Sequence, residues 1–105
     1  MQLIHATLVS CVFLHDVGEG VTTFSWQDEN GISRTLTIDT DGFCYREMPI
    51  RSGRGITIIS VSRDRVRLTF SEELSRKLEL DRNLMFEVAL SESESQDLAK
   101  FAEWI

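Results

Sequence analysis

The stretch VSRDRVRLTFSEELSRKLEL, Val61 to Leu80, changes its repeat half-way along. Val66, Leu68 and Phe70 alternate with Arg65, Arg67 and Thr69. That period of two puts hydrophobes on one face of a strand and arginines on the other, wet face. From Ser71 onward the spacing lengthens, with Leu74 and Leu78 four apart behind a serine able to cap a helix. Glu72–Arg76 and Glu73–Lys77 follow in the favourable acid-first order. A strand therefore runs straight into a short helix, EELSRKL.

Upstream, ITIISV and VRLTF make a hairpin around the turn SRDR. LIHATLVSCVFLHD is apolar on both faces, the pattern of a central strand. VTTFSWQD and ISRTLTID flank ENG, and their register can be derived. A two-residue turn at Asn30-Gly31 would split the apolar residues between the two faces. A three-residue loop pairs Asp28 with Ile32, Trp26 with Arg34, Phe24 with Leu36 and Thr22 with Ile38. It also gives Gly31 the left-handed bulge position. The longer loop is the one expected. Asp39 to Gly42, DTDG, is a second turn, leading into the strand FCYREM. EMPIRSGRG, with the only proline, reads as loop.

Downstream, LMFEVAL is a strand that buries Leu84, Phe86, Val88 and Leu90. Ser91 and Glu94 form a capping box for a last helix. Its stripe of Leu98, Phe101, Ala102 and Ile105 must dock on the sheet. The expectation is one α+β domain over residues 1–105. It has a mainly antiparallel sheet of about six to seven strands, a short helix and a C-terminal amphipathic helix.

Five basic side chains in the opening stretch raise the question of nucleic acid, but the chain carries a net charge of −6. Residues 1–33 hold no Lys or Arg, and the basic middle is nearly neutralised by its own acids. No aromatic residue interleaves RDRVR to stack on bases, and Glu72 and Glu73 follow at once. Neither nucleic acid nor an anionic membrane surface is an expected partner. LVSC, Leu8 to Cys11, resembles a lipoprotein cleavage box, yet no cation precedes it and His5 interrupts the apolar run. A cytoplasmic chain that keeps its N-terminal strand is expected, and two cysteines outside any CxxC suit a reducing compartment.

Catalytic chemistry finds no footing. His5 and His15, ten residues apart in one extended segment, are separated by about 33 Å unless the strand bends sharply, and are not expected to share a metal. Cys11 and Cys44 read as buried structural thiols. Asp39 and Asp41 of DTD are turn residues. Gly53-Arg54-Gly55 lacks the third glycine and the helix of a phosphate loop. No catalytic, cofactor-binding or metal-binding residue is expected.

The segment from Ile56 to Ile105 resembles the C-terminal half of immunity protein family ten of bacterial polymorphic toxin systems. Shared are the Thr/Ser-Arg-Asp-Arg turn in a hairpin, the short Leu-containing helix, the apolar strand and the acid-opened final helix. Tyr45-Arg46-Glu47 is similar to the family's Tyr-x-Glu, and Gly55 before Ile56 to its Gly-Gly-Ile, which Arg54 interrupts here. The resemblance covers residues 42–105. It implies a non-catalytic protein that binds and neutralises a cognate toxin, for example a nuclease. Candidate toxin-binding residues are the acids Glu92, Asp97 and Glu103 of the last helix, the arginines Arg63, Arg65 and Arg67, and Tyr45 and Glu47. Tyr45 is equally readable as a half-buried tyrosine whose hydroxyl bonds a neighbour. Trp104, on the flank of the last helix's apolar stripe, reads as a core-edge residue or an interface anchor, the core edge being favoured. The rival reading is a small regulatory or ligand-binding domain with a pocket between sheet and helix.

Overall fold

The computed structural model describes residues 1–14, 16, 18–47 and 50–105; His15 and Pro49 lie outside them. The strands are β1 (Gln2–His5), β2 (Leu8–Leu14), β3 (Glu19–Gln27), β4 (Ser33–Asp39), β5 (Phe43–Glu47), β6 (Arg51–Arg54), β7 (Ile56–Val61), β8 (Arg65–Phe70) and β9 (Asn83–Glu87). Helix α1 (Glu72–Leu78) separates β8 from β9, and α2 (Glu92–Trp104) ends the chain. The fold is α+β and mainly antiparallel. It departs from expectation in having nine strands among the described residues, in two sheets: β1-β9-β8-β7 and β2-β3-β4-β5-β6. Only β1 and β9 pair in parallel among the described residues.

Two sharp bends make the second sheet. The N-terminal apolar run is not a central strand. It breaks at Ala6-Thr7, where Ala6 N–H donates to Glu87 O at 2.9 Å in one sheet and Thr7 N–H to Ser25 O at 2.7 Å in the other. Its halves, β1 and β2, are edge strands of different sheets, which is why both faces look apolar in sequence. The second bend is Gly55, between β6 and β7, at φ 123°. Its carbonyl accepts from Ser71 N–H at 2.7 Å, and a Cβ there would run into Ser71 Oγ. Half of the stretch expected as loop is thus strand β6, paired with β5. It carried no apolar alternation because α1 packs against its glycine: a Cβ on Gly53 would meet Leu74 Cδ1 at 2.9 Å.

The sheets face each other across one core. Phe24 of β3 stacks on Phe86 of β9 with ring centroids 4.3 Å apart and 4° between planes, and Trp26 tilts against the same ring at 5.5 Å. Phe70, Leu74, Leu78, Leu98 and Phe101 complete this core and are fully buried. Helix α1 closes it beside β6 and β8, and α2 beside β7, β2 and β3.

The β3–β4 hairpin has the expected register, with Thr22↔Ile38, Phe24↔Leu36 and Trp26↔Arg34. Asp28 holds its loop: Oδ1 accepts from the N–H groups of Asn30 (2.9 Å) and Ile32 (3.0 Å), while Gly31 sits at φ 75°. DTDG repeats the device. Asp39 Oδ1 accepts from Asp41 and Phe43 N–H at 3.0 and 3.1 Å, with Gly42 at φ 79°. Ser71 caps α1, and both arms of the Ser91–Glu94 capping box are formed. The final strand ends earlier than expected, at Glu87. Val88 and Leu90 follow it as irregular chain, tied by their N–H groups to the carbonyls of Asp64 (3.0 Å) and Arg63 (2.7 Å) in the β7–β8 turn.

Candidate functional site

The residues singled out in the sequence occupy three separate surfaces. On α2, Glu92 and Glu103 are exposed and, eleven residues apart at about 100° per residue, share one face. Asp97 lies about 140° round the helix. It is half-buried beside β2, its carbonyl facing Cys11 Sγ at 3.9 Å. Burial pushes the Cys11 thiol up, against a smaller opposing effect of the Thr22 hydroxyl. The three acids do not form one patch. Trp104, at the end of the helix, is 39% exposed.

Arg65 and Arg67 lie on the outer face of the β1-β9-β8-β7 sheet, opposite Glu87 and Met85 on β9. Arg63 and Arg65 are exposed, but Arg67 is only half so, and its Nε is buried without a hydrogen-bond partner. The strand face is less fully wet than its alternation suggested. The SRDR turn has a structural task, since its carbonyls hold Val88 and Leu90.

Tyr45 and Glu47 lie on the outer face of the other sheet. On β5 the alternation turns Cys44 and Arg46 inward and Phe43, Tyr45 and Glu47 outward. The registers place Ser10, Thr23, Thr37, Tyr45 and Ser52 in one row across all five strands. Thr23 and Thr37 hydroxyls bond each other at 3.0 Å. Ser25, Thr35 and Glu47 form the next row beside Leu8. Leu8, Val12 and Val21 are 60, 54 and 39% exposed, and Val12 sits directly opposite Val21. The Arg54 guanidinium lies 6.0 Å from the Phe43 ring. Neither helix covers this face. Tyr45 is half-buried, as expected, and among the described residues its hydroxyl makes no hydrogen bond.

The inward residue Arg46 was not legible in the sequence as a core group. It is 7% exposed, and its Nη1 donates to the carbonyls of Leu78 (2.5 Å) and Glu79 (3.0 Å) at the C-terminus of α1. Burial lowers its pKa most; the charge of Arg34 adds to this, Glu79 opposes it and Arg51 lowers it further. Arg34 in turn is bound by Asp28 Oδ2, at 2.6 Å from Nη2 and 2.9 Å from Nε. These groups border a notch of about 630 Å³, lined also by residues 2–5 of β1, residues 26–29, and Glu79 and Leu80. No sequence signal announces it, because it exists only where the chain crosses between sheets.

Among the described residues no group of three or more His, Cys, Asp or Glu side chains could hold a metal ion. No helix among them is long and apolar enough to cross a membrane. Compared with protein-family models, curated proteins and solved structures, the chain matches none.

Proposed function

We propose that this chain is a non-catalytic immunity protein, cytoplasmic in the producing cell, that neutralises a cognate toxin by binding it through the outer face of the β2–β6 sheet. The observation that carries the choice of face is the row Ser10–Thr23–Thr37–Tyr45–Ser52 with uncovered Leu8, Val12 and Val21 beside it. Five strands about 4.8 Å apart, each some six residues long at about 3.4 Å, give a face roughly 20 Å on a side. That is the scale of the centre of a standard interface of about 800 Å² per partner. Hydroxyls, short aliphatics and a half-exposed tyrosine can be desolvated against a partner at lower cost than a charged face.

The resemblance supports the same face. Of the positions that match the family's pattern, Gly55 is explained by the bend between sheets. Tyr45 and Glu47 point away from the core and have no such structural explanation. Inhibition by occlusion needs nanomolar binding or better, about −12 kcal/mol. A few desolvated contacts at the centre of a face can supply most of this.

Co-expression with the product of the neighbouring reading frame, scored for rescue from its toxicity, tests the reading. Wild type should rescue growth. Tyr45→Ala with Thr37→Glu should lose rescue while remaining folded, with a thermal midpoint lowered by no more than a few degrees through the lost Thr23–Thr37 bond. Glu92→Gln with Glu103→Gln should retain it. Rescue that survives the first pair and fails with the second moves the contact to α2, and no rescue by wild type rejects the function.

A further inference from the structure

The 630 Å³ notch is bordered by strand edges rather than strand faces. All four residues of β1 line it, and so do residues 26–29 at the end of β3. Side chains of consecutive strand residues point to opposite faces, so four in succession can border one space only along the backbone edge. The pairing agrees. β1 is the last strand of its sheet, and β3 has no partner on the β2 side beyond Ser25 among the described residues. Because Ala6 N–H points to Glu87 of β9, ladder alternation turns the main-chain groups of Leu3 and His5 towards the notch. The bend at Ala6-Thr7 thus leaves, among the described residues, an unfilled strand position between two sheets.

We propose that this notch accepts an extended peptide segment of a protein partner by strand addition to β1. The site lies apart from the β2–β6 face and does not depend on its role. One strand position is about 4.8 Å wide, about 10 Å deep and about 3.3 Å per residue, roughly 160 Å³ for each residue. The notch therefore holds about four residues, the length of β1. Ile4, Trp26 and Leu80 form its floor and are nearly buried, so the inward side chain of the segment is apolar. The charges on its walls are largely committed: Asp28 binds Arg34, and Arg46 faces the helix carbonyls. Glu29 is exposed on the rim, with Glu79 3.8 Å from Arg51. The outward positions therefore favour Lys or Arg over acids. β1 itself carries none of the usual guards of an edge strand, neither lysine nor proline.

The test uses the full chain and a phage-displayed library of random decapeptides. Enriched peptides should alternate apolar residues with basic ones. Synthetic versions should shift the amide NMR signals of Leu3 and His5 on binding. Leu3→Pro removes an N–H turned to the notch and leaves the β9 ladder intact, as an edge position allows. It should weaken peptide binding roughly tenfold or more, with an unchanged thermal midpoint. Should that variant not fold, Glu29→Lys should disfavour the basic peptides by a few-fold through charge alone. Binding that survives Leu3→Pro overturns the proposal, as do amide shifts on a sheet face or a library without enrichment. A concentration-dependent dimer abolished by Leu3→Pro would assign the edge to a second copy instead.

Discussion

The two-sheet architecture rests on the stacked pair Phe24–Phe86, and a double-mutant cycle on it would show whether the sheets meet there. Both rings are fully buried, with centroids 4.3 Å apart. Truncation to alanine would cost about 3–5 kcal/mol per ring, so the pair together could exhaust the 5–15 kcal/mol typical of a whole domain. Leucine is the better probe, because a swap between large hydrophobes costs about 1.5 kcal/mol or less. Phe24→Leu and Phe86→Leu should each lower the urea midpoint by about 1 M at a slope of roughly 1–1.5 kcal/mol per molar. Either single change already forfeits the ring–ring term, worth about 0.5–1.5 kcal/mol beyond buried area. The double variant should therefore be more stable than the sum of the singles by that amount. Equilibrium urea unfolding followed by far-UV circular dichroism measures all four proteins, with equal slopes as the check on two-state behaviour. Costs that add to within about 0.3 kcal/mol would mean that the rings do not touch. The face-to-face packing of the sheets would then be refuted at its centre.

Phe101→Ala should cost about 3–5 kcal/mol, because the ring is fully buried where α2 seals the core; a loss no larger than that of Lys100→Ala would show the helix undocked. Asp28 is held below the usual carboxylate range by the Ile32 N–H first and the Arg34 guanidinium next. A carboxylate with a depressed folded pKa contributes stability above its unfolded value, about 3.9, and loses it as pH falls through the folded one. The thermal midpoint of Asp28→Asn should therefore fall less steeply than that of wild type below about pH 4, and parallel acid limbs would contradict the loop assignment. Burial pushes the Cys44 thiol up to about 12, with the Asp39 charge adding to it. At pH 8 iodoacetamide should modify Cys11, half-exposed, well before Cys44, and peptide mapping that finds Cys44 labelled first in the folded protein would place it wrongly.

Much of the fold is written locally. The register of β3 with β4 follows from keeping Phe24, Trp26, Leu36 and Ile38 on one face, which a slip by one residue would destroy. The Asp-x-x-Gly turns at Asp28 and Asp39, the cap of α1 and the capping box of α2 depend on atoms within four residues of each other. Chemistry over so short a range needs no distant partner, so a single sequence suffices to derive it. The apolar stripe of α2 likewise shows that the helix must dock, and Leu98 and Phe101 are buried as it requires.

What the tertiary structure alone decided is where the chain leaves one sheet for the other. Neither Ala6-Thr7 nor Gly55 is marked as a crossing in sequence. An apolar run reads the same whether it stays in one sheet or divides its two ends between sheets. Arg46 looks like the exposed member of a mixed strand until the C-terminus of α1, more than thirty residues away, supplies carbonyls to receive it. The candidate surfaces followed the same division. Alternation in the sequence showed that Arg65 leaves the core, and the place of Tyr45 on β5 showed that it does too. Only the packing of the two sheets set them on different faces, aligned five hydroxyls across five strands, and opened a notch beside β1. Those features depend on contacts between residues far apart in the chain, and no short-range pattern encodes them.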